Sequence, residues 1–218
     1  MKKILILSLI AGIAFAGCKK KENNVSMLVT VSYPIVTING SQYVSINVGS
    51  TFTPPSATAY DTFYKENLAA VPNLGVLNTS VPGLYTVQYS AKNQYGFIGT
   101  ANLYVAVTNI SDSLDLSGWY LRNGNTAEVA FVTKLARGMF MTSNLGGDDT
   151  ATQATSVLPA VFAVTSDTTI DLGTQPTSVG TLTATSETLS LAVGDTSYSY
   201  AVDLTGYGTE IRTFVKQP

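Results

Sequence analysis

Apolar and polar residues alternate along most of the chain, which is the period of a β-strand with one buried face. The clearest case is the segment 85–91, where odd positions hold Tyr, Val, Tyr and Ala and even positions hold Thr, Gln and Ser. Turn signals such as Asn39-Gly40 and Gly194-Asp195 separate these segments, and no stretch has a helical period of useful length. The pattern predicts an all-β protein built from antiparallel sheets.

The predicted strands fall into two sets. About seven short strands in residues 33–108 predict an antiparallel sandwich, in which Asp61–Asn73 is irregular and Leu74–Leu77 is a short strand. About eight or nine strands in residues 116–218, joined mostly by tight turns, predict a meander that forms either a small barrel or an open sandwich. The polar segment 109–115 is predicted to be the hinge between the two domains.

Two features of the second set concern the number of its strands and the first of its aromatic residues. Gly180–Thr185 and Thr188–Val193 are predicted as separate strands. Gly118-Trp119 at the start of the set resembles the Gly-x-Trp opening of lipocalin barrels with the spacing changed by one residue, which would imply carriage of a lipid or small ligand. The alternative is that Trp119 anchors the core, because a large aromatic side chain on a first strand is usually buried.

A short apolar segment follows the amino terminus. Two lysines precede a run of 13 residues, Ile4–Ala16, which is too short to span a bilayer and typical of a signal-peptide core. Ala14-x-Ala16 would serve as an ordinary cleavage site, whereas Phe15-Ala16-Gly17-Cys18 resembles the lipobox of bacterial lipoproteins. That resemblance implies that residues 1–17 are removed and that Cys18 becomes a lipidated first residue.

Cys18 is the only cysteine in the chain, so it has no intramolecular disulfide partner, and this favours lipidation over export of a free thiol. Residues 18–32 would then form a tether whose lysines at positions 19–21 either lie against anionic headgroups or keep a spacer soluble. Because Lys19 rather than an Asp follows the cysteine, the resemblance implies an anchor in the outer membrane. Which face of that membrane the protein occupies is left open.

Composition removes several classes of function. From Glu22 onward the chain has 7 Lys and Arg against 14 Asp and Glu, which argues against nucleic acid as a partner. The absence of histidine removes the commonest general base and every Ser-His or Cys-His nucleophile. With Cys18 lipidated, zinc and iron–sulfur sites lack their usual ligands, and no cofactor is expected.

Five motifs of the first set carry a family resemblance. They are Pro34-Ile35-x-x-Ile38, Val48-Gly49-Ser50, Ala57-Thr58-Ala59-x-Asp61, the run Pro82–Tyr89 with its Gly-x-Tyr-x-Val-x-Tyr pattern, and the turn Lys92-Asn93-x-x-Gly96. They are similar to the bacterial surface Ig-like domains, many of which carry an Asp near that last turn. The resemblance implies a sandwich that acts as a spacer or presents another module.

The order of segments along the whole chain resembles lipoproteins of Bacteroidota. After the Ig-like region come Ser117–Tyr120, the Gly-rich Leu145–Asp148 and a closing Arg212–Lys216. Several such lipoproteins accompany polysaccharide-uptake systems and are presumed to bind glycans. The resemblance therefore implies a carbohydrate ligand, and polysaccharide or outer-membrane transport proteins as partners.

Acidic side chains offer little chemistry. They are scattered, mostly in turns such as those at Asp61, Asp167 and Asp195, with nothing to pair two of them across a cleft as a glycosidase requires. Asp148-Asp149, after two glycines, resembles part of a calcium loop, and a solvated turn is the alternative. The sequence therefore predicts neither an enzyme nor a metal site.

Glycan binding needs exposed aromatic faces beside polar groups. Loops and turns of the first set supply the candidate binding residues Tyr60, Phe63, Tyr64, Tyr95 and Phe97. The second set offers Tyr198, Tyr200 and Tyr207. The alternative for each is a place in a core or at a sandwich corner, as expected for Tyr85 and Tyr89.

The hypothesis is a lipid-anchored outer-membrane lipoprotein that acts as a non-catalytic binding or presenting module, with a carbohydrate as the expected ligand. The alternative is a structural envelope component or a protein–protein adaptor without a small ligand. A contiguous exposed stripe of loop aromatics would favour the first.

Overall fold

The computed structural model describes residues 30–123, 125–149, 151–152 and 157–218. The predicted signal peptide, Cys18 and the tether up to residue 29 lie outside the described residues. Within the described ranges the regular secondary structure is β-strand apart from one short 3₁₀ turn, Leu74–Val76, which confirms the predicted all-β class. No helix in this part of the chain has the length and apolar character needed to cross a membrane.

The first strands form two facing sheets. In chain order they are β1 (Ile35–Ile38), β2 (Tyr43–Ile46), β3 (Ala57–Asp61), β4 (Glu66–Ala69), β5 (Val71–Pro72), β6 (Gly83–Lys92) and β7 (Ile98–Val107). The outer sheet has the order β1-β3-β4, and the inner sheet has the order β2-β7-β6-β5. All pairs are antiparallel except β2 and β7, which run parallel.

Alternation along β6 and β7 supplies the core of this sandwich. Val87 and Tyr89 of β6, with Leu103 and Val105 of β7, are buried against Ile38 of the outer sheet. The Tyr89 hydroxyl donates to the Pro55 carbonyl at 2.6 Å, so the buried ring keeps a partner for its one polar atom. The predicted sandwich is confirmed.

Two local predictions in this region are wrong. Leu74–Leu77 is a 3₁₀ turn rather than a strand, because the Asn73 side chain accepts a hydrogen bond from the Gly75 amide at 3.2 Å and starts a turn there. The supposedly irregular Asp61–Asn73 contains the short strands β4 and β5, which pair with β3 and β6. Strands this short carry too few residues for an alternating pattern to be visible.

The remaining strands form one large sheet in the described part of the chain. They are β8 (Gly118–Arg122), β9 (Val129–Ala136), β10 (Met139–Thr142), β11 (Ala160–Ser166), β12 (Thr169–Asp171), β13 (Gln175–Thr177), β14 (Gly180–Ala192), β15 (Asp195–Asp203) and β16 (Ile211–Lys216). Their order is β12-β11-β10-β9-β8-β16-β15-β14-β13. The sheet curls until the Leu189 amide of β14 donates to the Thr168 carbonyl beside β12 at 2.8 Å.

Aromatic rings fill the concave side of the large sheet. Tyr198 lies at the centre, with ring centroids 5.0 Å from Tyr120, 5.3 Å from Phe162 and 5.0 Å from Phe214. Burial raises the pKa of Tyr198, although a hydrogen bond to Thr142 opposes the shift. Around Tyr198 the curled sheet therefore encloses packed side chains rather than a ligand cavity.

Three further expectations for this sheet are wrong. Trp119 is 58% exposed on the convex side, because Tyr120 next to it points inward and successive side chains of a strand alternate. Tyr198 and Tyr200, proposed as binding residues, are buried in the interior. Gly180–Thr185 and Thr188–Val193 belong to one strand, β14, interrupted by an irregularity at Ser186, whose φ is 58°.

The inner sheet and the large sheet pack together within the compact unit Ser32–Pro218. Leu84 and Ala106 of the inner sheet contact residues of β10 and β11 in an apolar cluster. The Leu84 amide also donates to Oδ2 of Asp171 at 2.8 Å, and the Thr108 hydroxyl donates to the Val164 carbonyl at 2.6 Å. The proposed domain boundaries at 108 and 116 stay a prediction.

Candidate functional site

The loops at one end of the sandwich are organised by Asp61, the last residue of β3. Its buried Oδ1 accepts hydrogen bonds from the Ser32 hydroxyl at 2.7 Å and from the amides of Phe63 and Tyr64, both at 3.1 Å. These bonds turn the chain directly after the strand. Burial acts to raise the pKa of Asp61, but the bonds from Asn93, Ser32 and the two amides outweigh it, and the pKa lies below its ordinary value.

Asn93, directly after β6, links this turn to the next one. Its Nδ2 donates to Oδ2 of Asp61 at 2.8 Å and to the Ser32 carbonyl at 2.9 Å. Its Oδ1 accepts from the amides of Tyr95 at 3.1 Å and Phe97 at 3.0 Å. One buried amide therefore fixes both loops that carry the predicted aromatic residues.

The predicted aromatic residues come together only in part. The rings of Phe63 and Tyr64 are 4.9 Å apart, and those of Tyr64 and Tyr95 are 4.5 Å apart. Phe97 contacts Tyr33 instead, at 5.6 Å, a residue that the sequence analysis did not single out. We call Tyr33, Tyr60, Phe63, Tyr64, Tyr95 and Phe97 the aromatic end. Glycan binding by its five predicted members stays a prediction.

A second surface lies between the inner sheet and the large sheet. Leu84 and Ala106 contact the large sheet, and further along the same strands Gln88 and Asn102 line an open space between the sheets. Two adjoining hollows of about 440 Å³ and 510 Å³ result, which share Asn102, Gln175 and Pro176. We call them together the groove.

Tyrosines and amides line the groove without any charge. Tyr43 of β2 and Tyr104 of β7 are cross-strand neighbours whose rings stack with centroids 5.8 Å apart. None of the described lining residues is charged. They are Tyr43, Asn73, Val76, Thr86, Gln88, Asn102, Tyr104, Met141, Leu158, Pro159, Ala160, Val161, Thr174, Gln175, Pro176, Thr177, Ser178 and Thr181.

Two polar atoms of the groove are buried without a protein partner among the described residues. They are Oδ1 of Asn102 and Oγ1 of Thr86, on neighbouring strands of the inner sheet. Gln175 differs, because its amide is fully used: it accepts from the Val161 amide and donates to the carbonyls of Val161 and Leu172. Gln175 therefore holds the groove wall in place, whereas the two unpaired oxygens are enclosed by the protein and have no surface open to the groove.

The acidic residues serve the fold. Asp171 accepts from the Leu84 and Gly173 amides, and Glu187 accepts from the Leu172 amide at 2.7 Å. Burial and the neighbouring Asp171 raise the pKa of Glu187, against the bond from Leu172. Neither carboxylate lines the groove. These two are close enough to interact, but both are occupied by backbone amides away from the groove.

The calcium candidate and the remaining tyrosine are also accounted for. Asp149 accepts hydrogen bonds from the Ala151 amide and the Thr152 hydroxyl, both at 2.8 Å, as in a polar turn. Within the ranges that the structure describes, no three Cys, Asp or Glu side chains come together as metal ligands would. Tyr207 is half-buried beneath the Arg212 guanidinium, 5.9 Å from its ring centroid.

Comparison with known proteins identifies the first module. No curated protein matches the chain. A lipoprotein from Bacteroides thetaiotaomicron, known from its crystal structure, is similar at 20% sequence identity over 84% of this chain and 100% of its own, with a TM-score of 0.37. Residues 36–107, about a third of the chain, match the family model described as bacterial surface protein, Ig-like domain. The chain therefore contains the bacterial surface Ig-like domain that its motifs predicted.

Proposed function

We propose that the protein is a lipoprotein of the bacterial outer membrane, anchored through Cys18, that binds a neutral glycan in the groove without catalysis. The surface Ig-like domain and the lipobox-like Phe15–Cys18 support the envelope location. The observation that carries the ligand class is the uncharged lining, in which a stacked tyrosine pair lies beside amide and hydroxyl side chains.

The chemistry of this lining selects among ligands. A phosphate, a uronic acid or a nucleic acid would lose solvation there without gaining a cation, and that cost opposes binding. A neutral sugar presents hydroxyl groups to exposed polar side chains of the lining, such as Gln88 and Thr181, and apolar C–H faces to Tyr104.

Thr86→Val separates the stability of the groove wall from ligand binding, because it keeps the side-chain shape and removes a buried oxygen without a partner. We expect the variant to be as stable as the parent chain or up to about 1–3 kcal/mol more stable, by urea unfolding. Glycan binding, measured by calorimetry against a panel of neutral and acidic oligosaccharides, should be the same in the variant and in the parent chain. Intact mass of the chain recovered from membranes reports acylation of Cys18 in the same preparation.

A matched pair of tyrosine variants locates the site. Tyr104→Ser removes a ring of the groove, and Tyr95→Ser removes an exposed ring of the aromatic end. We expect loss of binding only in the first, while Tyr104→Phe keeps the ring and most of the affinity. Flat calorimetry for the parent chain across the panel would leave the structural or adaptor function in place. Loss in Tyr95→Ser alone would move the glycan site to the aromatic end.

A further inference from the structure

The aromatic end carries apolar side chains that the described fold leaves uncovered. Tyr33, Ile35, Phe63 and Ile98 are between 51% and 61% exposed. They belong to one end of the sandwich, because Ile35 is the cross-strand neighbour of Tyr60 and the Pro34 carbonyl lies directly against Gly99, where an added Cβ would come within 1.7 Å. Exposed aromatic and aliphatic groups in one place mark an interaction surface.

The exposed charges at this end are positive. Lys65 and Lys92 are the only basic residues between positions 32 and 108. Lys65 follows Tyr64 in the turn after β3. The Lys92 side chain lies over Gly96, where its Cε would be 3.6 Å from a Cβ added to the glycine. The two acids nearby point inward, since Asp61 is buried and Oε2 of Glu66 is buried as well. Aromatic rings with flanking lysines are the combination found at membrane–water interfaces.

The chain enters the sandwich at this same end. Ser32 donates its hydroxyl to Asp61, and its carbonyl accepts from Asn93. Cys18 precedes Ser32 by 14 residues. A linker of that length spans at most about 50 Å when extended and about 20 Å on average when flexible. A lipid on Cys18 would therefore hold the aromatic end, where the linker joins the sandwich, within reach of the bilayer.

We propose that the aromatic end contacts the bilayer surface, with Phe63 and Tyr33 among the headgroups and Lys65 and Lys92 against anionic lipid. The inference depends on the lipid anchor of the proposed function and is independent of the glycan site. Four apolar side chains bind a membrane only weakly alone, but a short tether raises the effective concentration to about the millimolar range and populates the contact.

This contact sets the orientation of the molecule. The turn of the β6–β7 hairpin lies at the aromatic end, where Lys92 pairs with Ile98. The open end of the hairpin, at the pair Gly83 and Val107, lies at the large sheet. Its ten-residue strands are about 33 Å long. With the aromatic end on the bilayer, the large sheet lies on the side of the molecule away from the membrane. The groove, between the inner sheet and the large sheet, then lies away from the membrane as well.

A tryptophan reporter tests the contact with an anchor imposed by chemistry. In the chain from Cys18 to Pro218, the single thiol is coupled to a maleimide lipid in vesicles of phosphatidylethanolamine and phosphatidylglycerol, a fraction of them brominated. Trp119→Phe removes the native fluorophore. Phe63→Trp places a reporter at the aromatic end, and Val193→Trp places the control at a fully exposed turn between β14 and β15.

We expect brominated lipid to quench the Phe63→Trp reporter and to leave the Val193→Trp control unchanged. Lys65→Gln or Lys92→Gln should weaken the contact about fivefold each, equivalent to ~1 kcal/mol per lysine. Equal quenching of both reporters, or of neither, overturns the proposal whether or not cells acylate Cys18. A neutral oligosaccharide that shifts the Phe63→Trp emission without vesicles would also overturn it and assign the aromatic end to a glycan.

Discussion

Replacing Asn93 by Ala tests whether one buried amide fixes the aromatic end. The change removes three hydrogen bonds to backbone groups, those with Ser32, Tyr95 and Phe97, and a fourth with Asp61. At about 0.5–1.5 kcal/mol for each of the three neutral bonds, the free energy of unfolding falls by about 1.5–4.5 kcal/mol. Loss of the fourth bond adds to this, because it leaves the Asp61 carboxylate with one partner fewer.

Urea unfolding measures that loss, and Gln94→Ala is the matched control. Gln94 is exposed in the same turn, so its substitution should stay within about 0.5 kcal/mol of the parent. A shift in midpoint at constant m shows that Asn93→Ala changes stability rather than the cooperativity of unfolding. A cost below about 1 kcal/mol would show that the two loops are held by something other than Asn93.

Asn93→Asp should reverse the pH dependence of stability that this site contributes. In the parent the pKa of Asp61 is lowered, so its contribution to stability is present above the ordinary value of 3.8 and is lost as pH falls through the folded-state pKa. In the variant two carboxylates meet where Nδ2 now lies 2.8 Å from Oδ2 of Asp61, and the pair retains a proton to higher pH. The variant should therefore gain stability on acidification from neutral pH. The same slope in both chains would refute the argument.

Two further substitutions test the segment Asp171–Gly173, which is bonded to Glu187 within the large sheet and contacts Leu84 of the inner sheet. Glu187→Gln keeps the acceptor oxygen and removes a charge whose pKa is raised by burial and by Asp171, so the melting temperature should rise at neutral pH and the gain should vanish as pH falls to the ordinary value of 4.5. Gly173→Ala should cost more than the about 1–2 kcal/mol expected for a left-handed residue alone, because φ is +56° and its Cβ would lie 2.2 Å from the Leu84 carbonyl oxygen. Gly194→Ala, with φ +81° and no neighbour within 4 Å, measures the conformational cost by itself in the same urea experiment.

The long strands could be predicted from the sequence because their signal is local. Alternation at 85–91 falls inside β6, which runs from Gly83 to Lys92, and the pairing partner β7 shows the same period. The core position expected for Trp119 is wrong because β8 reads Gly-Trp-Tyr-Leu-Arg, with large side chains on both faces. The sequence of such a strand does not indicate which face is buried. The direction in which the sheet curls around Tyr198 determines the buried face.

The groove could not be predicted, since its lining is assembled from distant segments. Tyr43 and Tyr104 are 61 positions apart and become neighbours only through the parallel pairing of β2 with β7. Thr86 and Asn102 lie on the polar face of alternating strands, which normally indicates exposure to water. The only available signal was that Tyr104 interrupts this polar face with a large ring.

The family resemblance at Asn93 indicates a turn but does not indicate the hydrogen bond to Asp61. Oδ1 of Asn93 accepts hydrogen bonds from two backbone amides and so fixes the turn, as a carboxylate oxygen could also do. The second role needs a donor, because Oδ2 of Asp61 lies 2.8 Å from Nδ2. An acid at position 93 could serve the turn but would repel Asp61, so the amide and the buried acid must be chosen together. The geometry of the aromatic end therefore depends on a pair of residues 32 positions apart, which no single motif records.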